Sequence, residues 1–361
     1  DIQLKGSGKT PYSRNGDGKA TLGPMIREYL ISEAMHHLNI PSTRALAVIT
    51  TGENIYREKI EPGAVLVRVA KSHLRVGTFQ FGSLLKDTKE FECLINYTIK
   101  RLYPEIINNE KKYLLFFNKI CDLQINLIIK WMRVGFIHGV MNTDNMSLSG
   151  ETIDYGPCAF MDTYNPKTVF SSIDKMGRYS FENQCKIVLW NLARFAETFL
   201  FLIDKDEKNA IKLIEEVLNK NKEKFDNAWL EMMSKKLNLD IKQNNKEIIN
   251  DFLNLMHVYK LDYTNTFIDL EKNKLDKKIF KDWLEKYKNK IKKEHTGFNP
   301  YIIPRNHIIE NIINDSYKGN FSKLFEFNRA ILTPYEENEI TKKYKKQPED
   351  HEKVFETFCG T

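Results

Sequence analysis

The stretch "GFIHGVMNTDNMSLSGETIDYGP", residues 135–157, decides how this chain is read. It interrupts an otherwise helical region. Gly135, Gly139, Gly150, Gly156 and Pro157 punctuate it, and only "FI" and "ETI" have the apolar, β-branched look of short strands. His138, Asp144, Asn145 and Asp154 are its chemistry-bearing side chains. Asn and Asp favour turns because their side chains bond nearby backbone, so a purely turn-forming set is the plain alternative.

The order of residue types argues for more than turns. Kinase-like phosphotransferases carry a His-Gly-Asp or His-Arg-Asp loop, an Asn a few residues later, and an Asp-x-Gly after a short strand; the Asn and the later Asp hold Mg²⁺. Here His138-Gly139 precedes Asn145, and Asp154-Tyr155-Gly156 follows "ETI". Asn145 and Asp154 are hard oxygen donors, suited to Mg²⁺, or Mn²⁺, bridging polyphosphate oxygens. One position departs: Val140 stands where the catalytic base belongs, and a valine accepts no proton. Either the chain is a catalytically dead relative of kinases, or its chemistry does not need that aspartate. Asp144 is the nearest spare carboxylate.

Working outward, residues 1–5 alternate as a strand, and Leu22, Ile26, Tyr29, Leu30, Ala34 and Leu38 recur at helical spacing, predicting an amphipathic helix over about 24–38. A lysine ending the strand, Lys5, and a glutamate on the helix, Glu28, match the pair that holds nucleotide phosphates in kinases. Between them, Gly6-Ser7-Gly8-Lys9-Thr10 imitates the end of a P-loop. That motif needs a first glycine where Gln3 stands, and a helix after the lysine where Pro11 stands, so it is read as a decoy. "TRALAVIT" and "GAVLVRVA" read as strands. Arg68 and Arg75 flank the end of "VLVRVAKSHLRVG"; guanidinium forks suit phosphate, and a kinase needs no such pair there, which suggests a triphosphate in an unusual pose.

The 361 residues carry a net charge of +7, too mild to argue for nucleic acid. Cys93, Cys121, Cys158, Cys185 and Cys359 form no C-x-x-C pair, which fits a reducing compartment better than a disulfide framework or zinc site. No apolar run approaches the roughly 20 residues of a membrane span. The chain begins at Asp1 as though at the edge of a strand, so a fragment is expected, with any targeting segment upstream. The fold class expected is α+β, protein-kinase-like and two-lobed. Residues 1–82 form a small nucleotide-binding lobe. Residues 83–361 form a mainly helical lobe with the catalytic and metal-binding loop at 135–162 and a cysteine-bearing tail.

Six stretches together identify a family: "QLKGSGKTPYSRNGDGKA" (3–20), "REYLISEAMHHLNIPSTRALA" (27–47), "HGVMNTDNMSLSGETIDYGPCAFMD" (138–162), "GRYSFENQ" (177–184), "NPYIIPRNH" (299–307) and the terminal "CGT" (359–361). Over essentially the whole chain the sequence resembles the selenoprotein O, or YdiU, family. These are pseudokinases that act as protein adenylyltransferases and bind ATP flipped relative to kinases. By position, the resemblance implies that Lys5 contacts the phosphates and Glu28 anchors Lys5. Asp17 and Gly18 touch the nucleotide, and Arg68 and Arg75 hold the reversed triphosphate. Asn145 and Asp154 carry the metal, and Asp144 is the base. The glycine cluster at 16–18 then becomes a nucleotide-contacting loop. The family's further glycine-rich segment lies upstream of Asp1, and Cys359 occupies the place of a redox-active Cys or selenocysteine, with Cys158 a candidate partner or a buried thiol.

The resemblance implies transfer of AMP from ATP to Ser, Thr or Tyr hydroxyls of protein substrates by a monomer that binds neither nucleic acid nor membrane. Its location is cytoplasmic in a bacterium or mitochondrial in a eukaryote. The rivals are a kinase-type phosphotransferase and a non-catalytic nucleotide-binding scaffold.

Overall fold

In a computed structural model of the chain, all residues are described except 12, 14, 86, 242–243, 293–296 and 359–361. The first part is built on an antiparallel sheet. Strand β1 (Ile2–Lys5) leads through a glycine-rich hairpin into β2 (Ala20–Thr21) and helix α1 (Leu22–His37). Strands β3 (Arg44–Tyr56) and β4 (Ile60–Val69) form a long hairpin. β4 is central: β3 pairs along one edge, and β1 and β2 share the other. The hairpin runs beyond "TRALAVIT" because, after an irregularity in register between Thr50 and Asn54, Asn54, Ile55 and Tyr56 resume the ladder opposite Pro62, Glu61 and Ile60.

α1 packs under the sheet with Leu30, Ile31 and Met35 fully buried. α2 (Val76–Gly82) and α3 (Thr88–Leu102) lead to α4 (Lys112–Arg133), which buries Phe116, Ile120, Ile128 and Trp131. The punctuated stretch holds only the two-residue strands β5 (Phe136–Ile137) and β6 (Ala159–Phe160), paired antiparallel, and a 3₁₀ turn at Thr143–Asn145.

The remainder is helical: α5 (Gln184–Glu197), α6 (Leu200–Ile203), α7 (Glu207–Lys236), α8 (Lys246–Val258), α9 (Tyr263–Glu271), α10 (Lys277–Tyr287), α11 (Asn306–Tyr317), α12 (Ser322–Ile331) and α13 (Glu339–Tyr344). A small sheet followed by a large helical region is the α+β layout of a protein-kinase-like fold. Among the described residues no helix is long and apolar enough to cross a membrane.

The opening Gly-Ser-Gly-Lys-Thr run forms no P-loop. Ser7 bridges Lys19, the Gly8 N–H donates to the Gly18 carbonyl (3.1 Å), and α1 starts only at Leu22. Gly18, at φ +68°, packs so tightly that a Cβ there would fall 2.1 Å from the Gly8 carbonyl oxygen.

Candidate functional site

Strand alternation puts Gln3 and Lys5 on one face of β1, and the antiparallel register sets Gln3 opposite Arg68. That face meets α1, where Glu28 is buried. The Lys5 Nζ donates to Glu28 Oε2 at 2.7 Å and to Asp154 Oδ1 at 2.6 Å. Arg68 is 1% exposed. It donates from Nε to Glu28 Oε1 at 2.9 Å, from Nη2 to Asp154 Oδ1 at 2.6 Å, and from Nη1 to the side chain of Gln3 at 3.0 Å. Arg75 reaches the other carboxylate oxygen, Asp154 Oδ2, at 3.1 Å. Lys5, Glu28, Arg68, Arg75 and Asp154, far apart in sequence, thus form one cluster.

Its electrostatics are lopsided: three cations face two carboxylates. Burial by itself raises the Asp154 pKa, but Arg68, Lys5 and Arg75 outweigh it and hold the carboxyl well below its ordinary range. Glu28 is likewise lowered, by Arg68 and Lys5 against burial. Lys5 is raised: burial disfavours its charge, and Asp154 and Glu28 more than restore it. Every member is therefore ionised, with one positive charge in excess. Asp154 also adopts φ +63°, a backbone region that few non-glycine residues occupy.

The turn beside this cluster is held by backbone contacts. His138 is fully buried; its Nε2 meets the Ile153 carbonyl at 2.9 Å and its ring stacks on Trp131. Burial lowers its pKa, so it is a neutral brace for the segment leading to Asp154. Val140 contributes its carbonyl, which accepts from Asn145 Nδ2 at 2.8 Å. With Nδ2 used in that bond, the amide oxygen of Asn145 is the atom of this side chain that can act as an acceptor. Arg75 Nη1 donates to the Asp144 carbonyl at 2.8 Å, and the Asp144 side chain is exposed.

Among the described residues no three His, Cys, Asp or Glu side chains gather as a metal cluster. Asn145 and Asp154, the pair that the family resemblance implies as metal ligands, would supply only two side-chain oxygen donors. Such a pair would suit a hard divalent cation that takes its other ligands from phosphate and water, rather than a cation caged by protein alone.

Asp17 stands apart from the cluster. Its carboxylate is gripped by Arg57 at 2.8 and 3.0 Å and by the Lys19 N–H at 3.0 Å, and its pKa is lowered to about 2 by the Arg57 hydrogen bonds. Gly18 serves the same hairpin through its carbonyl. A cavity of about 820 Å³ opens between Lys5, Glu28, Tyr155 and Gly156 on one side and Arg57, Glu61 and Tyr317 on another. The tail closes one wall. Thr357 bridges Ser171, and its hydroxyl donates to the Pro157 carbonyl at 2.6 Å. Cys158 is buried, with its thiol pushed up to about 12, as a structural thiol would be; Cys359 lies outside the described residues.

Two supporting residues escape a motif-based reading. Gln3 could be found from its alternation with Lys5. Arg27, one residue before Glu28, points the other way: its Nη2 donates to the Cys158 carbonyl at 2.7 Å and to Asn306 Oδ1 at 2.8 Å, and its Nη1 pairs with Glu310 at 3.1 Å. It ties α1 to the segment after Asp154 and to α11.

A sequence profile of the family described as protein adenylyltransferase SelO matches residues 1–333. A protein of Clostridium perfringens strain SM101 named protein nucleotidyltransferase YdiU is 47% identical over 378 aligned positions, covering 100% of this chain and 77% of that protein. Proteins of the same name from Pelagibacter ubique and Nitrosococcus oceani are each 48% identical, again over the whole of this chain, and it covers 78% and 77% of their lengths.

Proposed function

The chain belongs to the protein adenylyltransferase SelO family and is a nucleotidyltransferase, and we propose that its cleft moves AMP from ATP onto a Ser, Thr or Tyr hydroxyl of a protein. The observation that carries this is the convergence of Lys5, Arg68 and Arg75 on the single carboxylate of Asp154. A cluster with surplus positive charge, assembled before any ligand arrives, is a preorganised site for a polyanion.

The entering triphosphate offers the three cations a second anion, and they take its β and γ phosphates. The α-phosphorus is then the one left to face Asp144, whose side chain is exposed. The acceptor hydroxyl oxygen forms a bond to the α-phosphorus, and the bond from that phosphorus to the oxygen bridging to the β-phosphorus breaks. Asp144 takes the hydroxyl proton, and pyrophosphate departs with its charge held by Lys5, Arg68 and Arg75. Asn145 and Asp154 would hold Mg²⁺ or Mn²⁺, which when bound neutralises phosphate charge. Val140 then needs no carboxylate, because the position of the kinase base no longer faces the reacting phosphorus. Asp17 and Gly18 act through the hairpin they build over the cleft.

ATP labelled at the α-phosphate tests this. Transfer of the α-label to protein, lost in Asp144→Asn by about 10²–10⁴, supports it; transfer of γ-label instead points to the kinase-type rival and overturns it. Binding of ATP with no transfer of either label would establish the scaffold.

A further inference from the structure

We propose that Gly77 is a positioning residue for the carboxylate of Asp144, and this rests on the reading of Asp144 as the proton acceptor. Gly77 is the second residue of α2. It has no need of glycine for its own backbone, since its φ is not in the left-handed region, and alanine favours a helix over glycine. What it lacks is a Cβ, and that Cβ would fall 2.1 Å from Asp144 Oδ1 and 3.2 Å from Asp144 Cγ.

The two segments cannot slide apart to relieve this. The Val76 N–H donates to the Met146 carbonyl at 2.9 Å, the Leu148 N–H donates to the Leu74 carbonyl at 3.0 Å, and Arg75 holds the Asp144 carbonyl at 2.8 Å. Arg75 and Ser147 form a β-bridge between the same segments. With both main chains pinned, the carboxylate is the part that moves. Turning it away displaces the base, and a displacement of about 1 Å at a reacting group can reduce a rate about 10²-fold. The bare backbone at Gly77 therefore leaves room for this orientation of Asp144, and the hydrogen bonds between the two segments keep that room from opening elsewhere.

The test uses the full chain, ATP labelled at the α-phosphate, and dephosphorylated casein and the chain itself as acceptors. Thermal unfolding and titration with a fluorescent methylanthraniloyl-ATP are run beside it. Gly77→Ala is expected to unfold at the same or a higher temperature, to bind the nucleotide within about twofold of wild type, and to lose about 10²-fold in kcat. The double variant Gly77→Ala/Asp144→Asn is expected to transfer label no more slowly than Asp144→Asn alone, because a residue that acts through Asp144 has nothing left to position.

Full kcat in Gly77→Ala beside a dead Asp144→Asn overturns the inference and leaves the role of Asp144 standing. Losses that add in the double variant, or a Gly77→Ala chain that has lost nucleotide binding or stability, also overturn it, since the effect is then on the helix. Full transfer by Asp144→Asn removes Asp144 as the acceptor and the inference with it, and absence of α-label from the wild-type chain removes both readings together.

Discussion

Asp154 and Asp162 lie eight positions apart on either side of a short strand, each about one-fifth exposed and each bound to a buried arginine. Their surroundings are opposite. Asp154 and Glu28 share Lys5 and Arg68, and Arg75 adds a third cation at Asp154. Asp162 and Asp262 share the one guanidinium of Arg305, which reaches Asp262 at 2.8 and 3.1 Å. The pKa directions follow: Asp154 is held far below its ordinary value, whereas burial, aided by the Asp262 charge, raises Asp162 against the pull of Arg305. An ion cluster that only fastens two segments can carry a surplus of either sign. One that must receive a triphosphate needs a surplus of cations. Charge balance, more than burial or hydrogen-bond count, separates the cleft from the fastening.

The comparison breaks most visibly at Asp154. Asp154→Asn leaves the three cations facing only Glu28. The expected outcome is loss of α-label transfer by about 10³-fold or more, together with about 3 kcal/mol of stability read from urea unfolding, since removing one partner strands buried charge. Retained transfer would place the working carboxylate elsewhere. Next is Arg68→Met, which keeps the apolar stem but removes the fork shared by Gln3, Glu28 and Asp154. The KM for ATP should rise by about 10–100-fold, and Arg68→Lys should not restore it, because an ammonium cannot span those partners. Arg27→Met should reduce kcat by about tenfold by loosening α1, and Glu28 with it, from the segment after Asp154. An unchanged kcat would mean that sheet contacts alone place Glu28.

The residues of the cleft were legible in the sequence to the extent that each carries its own local signature. Lys5 ends a strand, Glu28 sits on a helix, Asn145 and Asp154 follow a His-Gly at recognisable spacing, and Arg68 and Arg75 flank a strand end. Gathering of Lys5, Glu28, Arg68, Arg75 and Asp154 follows from β1–β4 register and the packing of α1. Partners joined across the fold left no such signature. Arg27 meets Asn306 and Glu310 across more than 270 residues, and Arg305 meets Asp162 across 143. Gly77 could not be read at all, because its role is the absence of an atom beside a residue 67 positions away. The pairing of Asp17 with Arg57 was hidden for a related reason: the β3–β4 turn that carries Arg57 runs past the apolar pattern that marked the strands.

The smallest expected effect lies in the fastening cluster, and its sign is the sharpest test of the comparison. Asp154, with a lowered pKa, stabilises the fold fully above the ordinary carboxyl value of 3.8 and loses that contribution as pH falls below it. Asp162, with a raised pKa, does the reverse: its contribution is complete below 3.8 and is lost as pH rises through its folded value. Asp162→Asn removes the second effect while leaving Arg305 paired with Asp262. The variant should therefore gain stability relative to wild type as pH climbs from about 3.8 toward neutrality, by about 1 kcal/mol or less, with α-label transfer within about twofold of wild type. Urea unfolding across that pH range measures it. A variant that instead loses stability with rising pH would show that Arg305 supplies enough positive charge for both aspartates, and charge balance would no longer distinguish the two clusters.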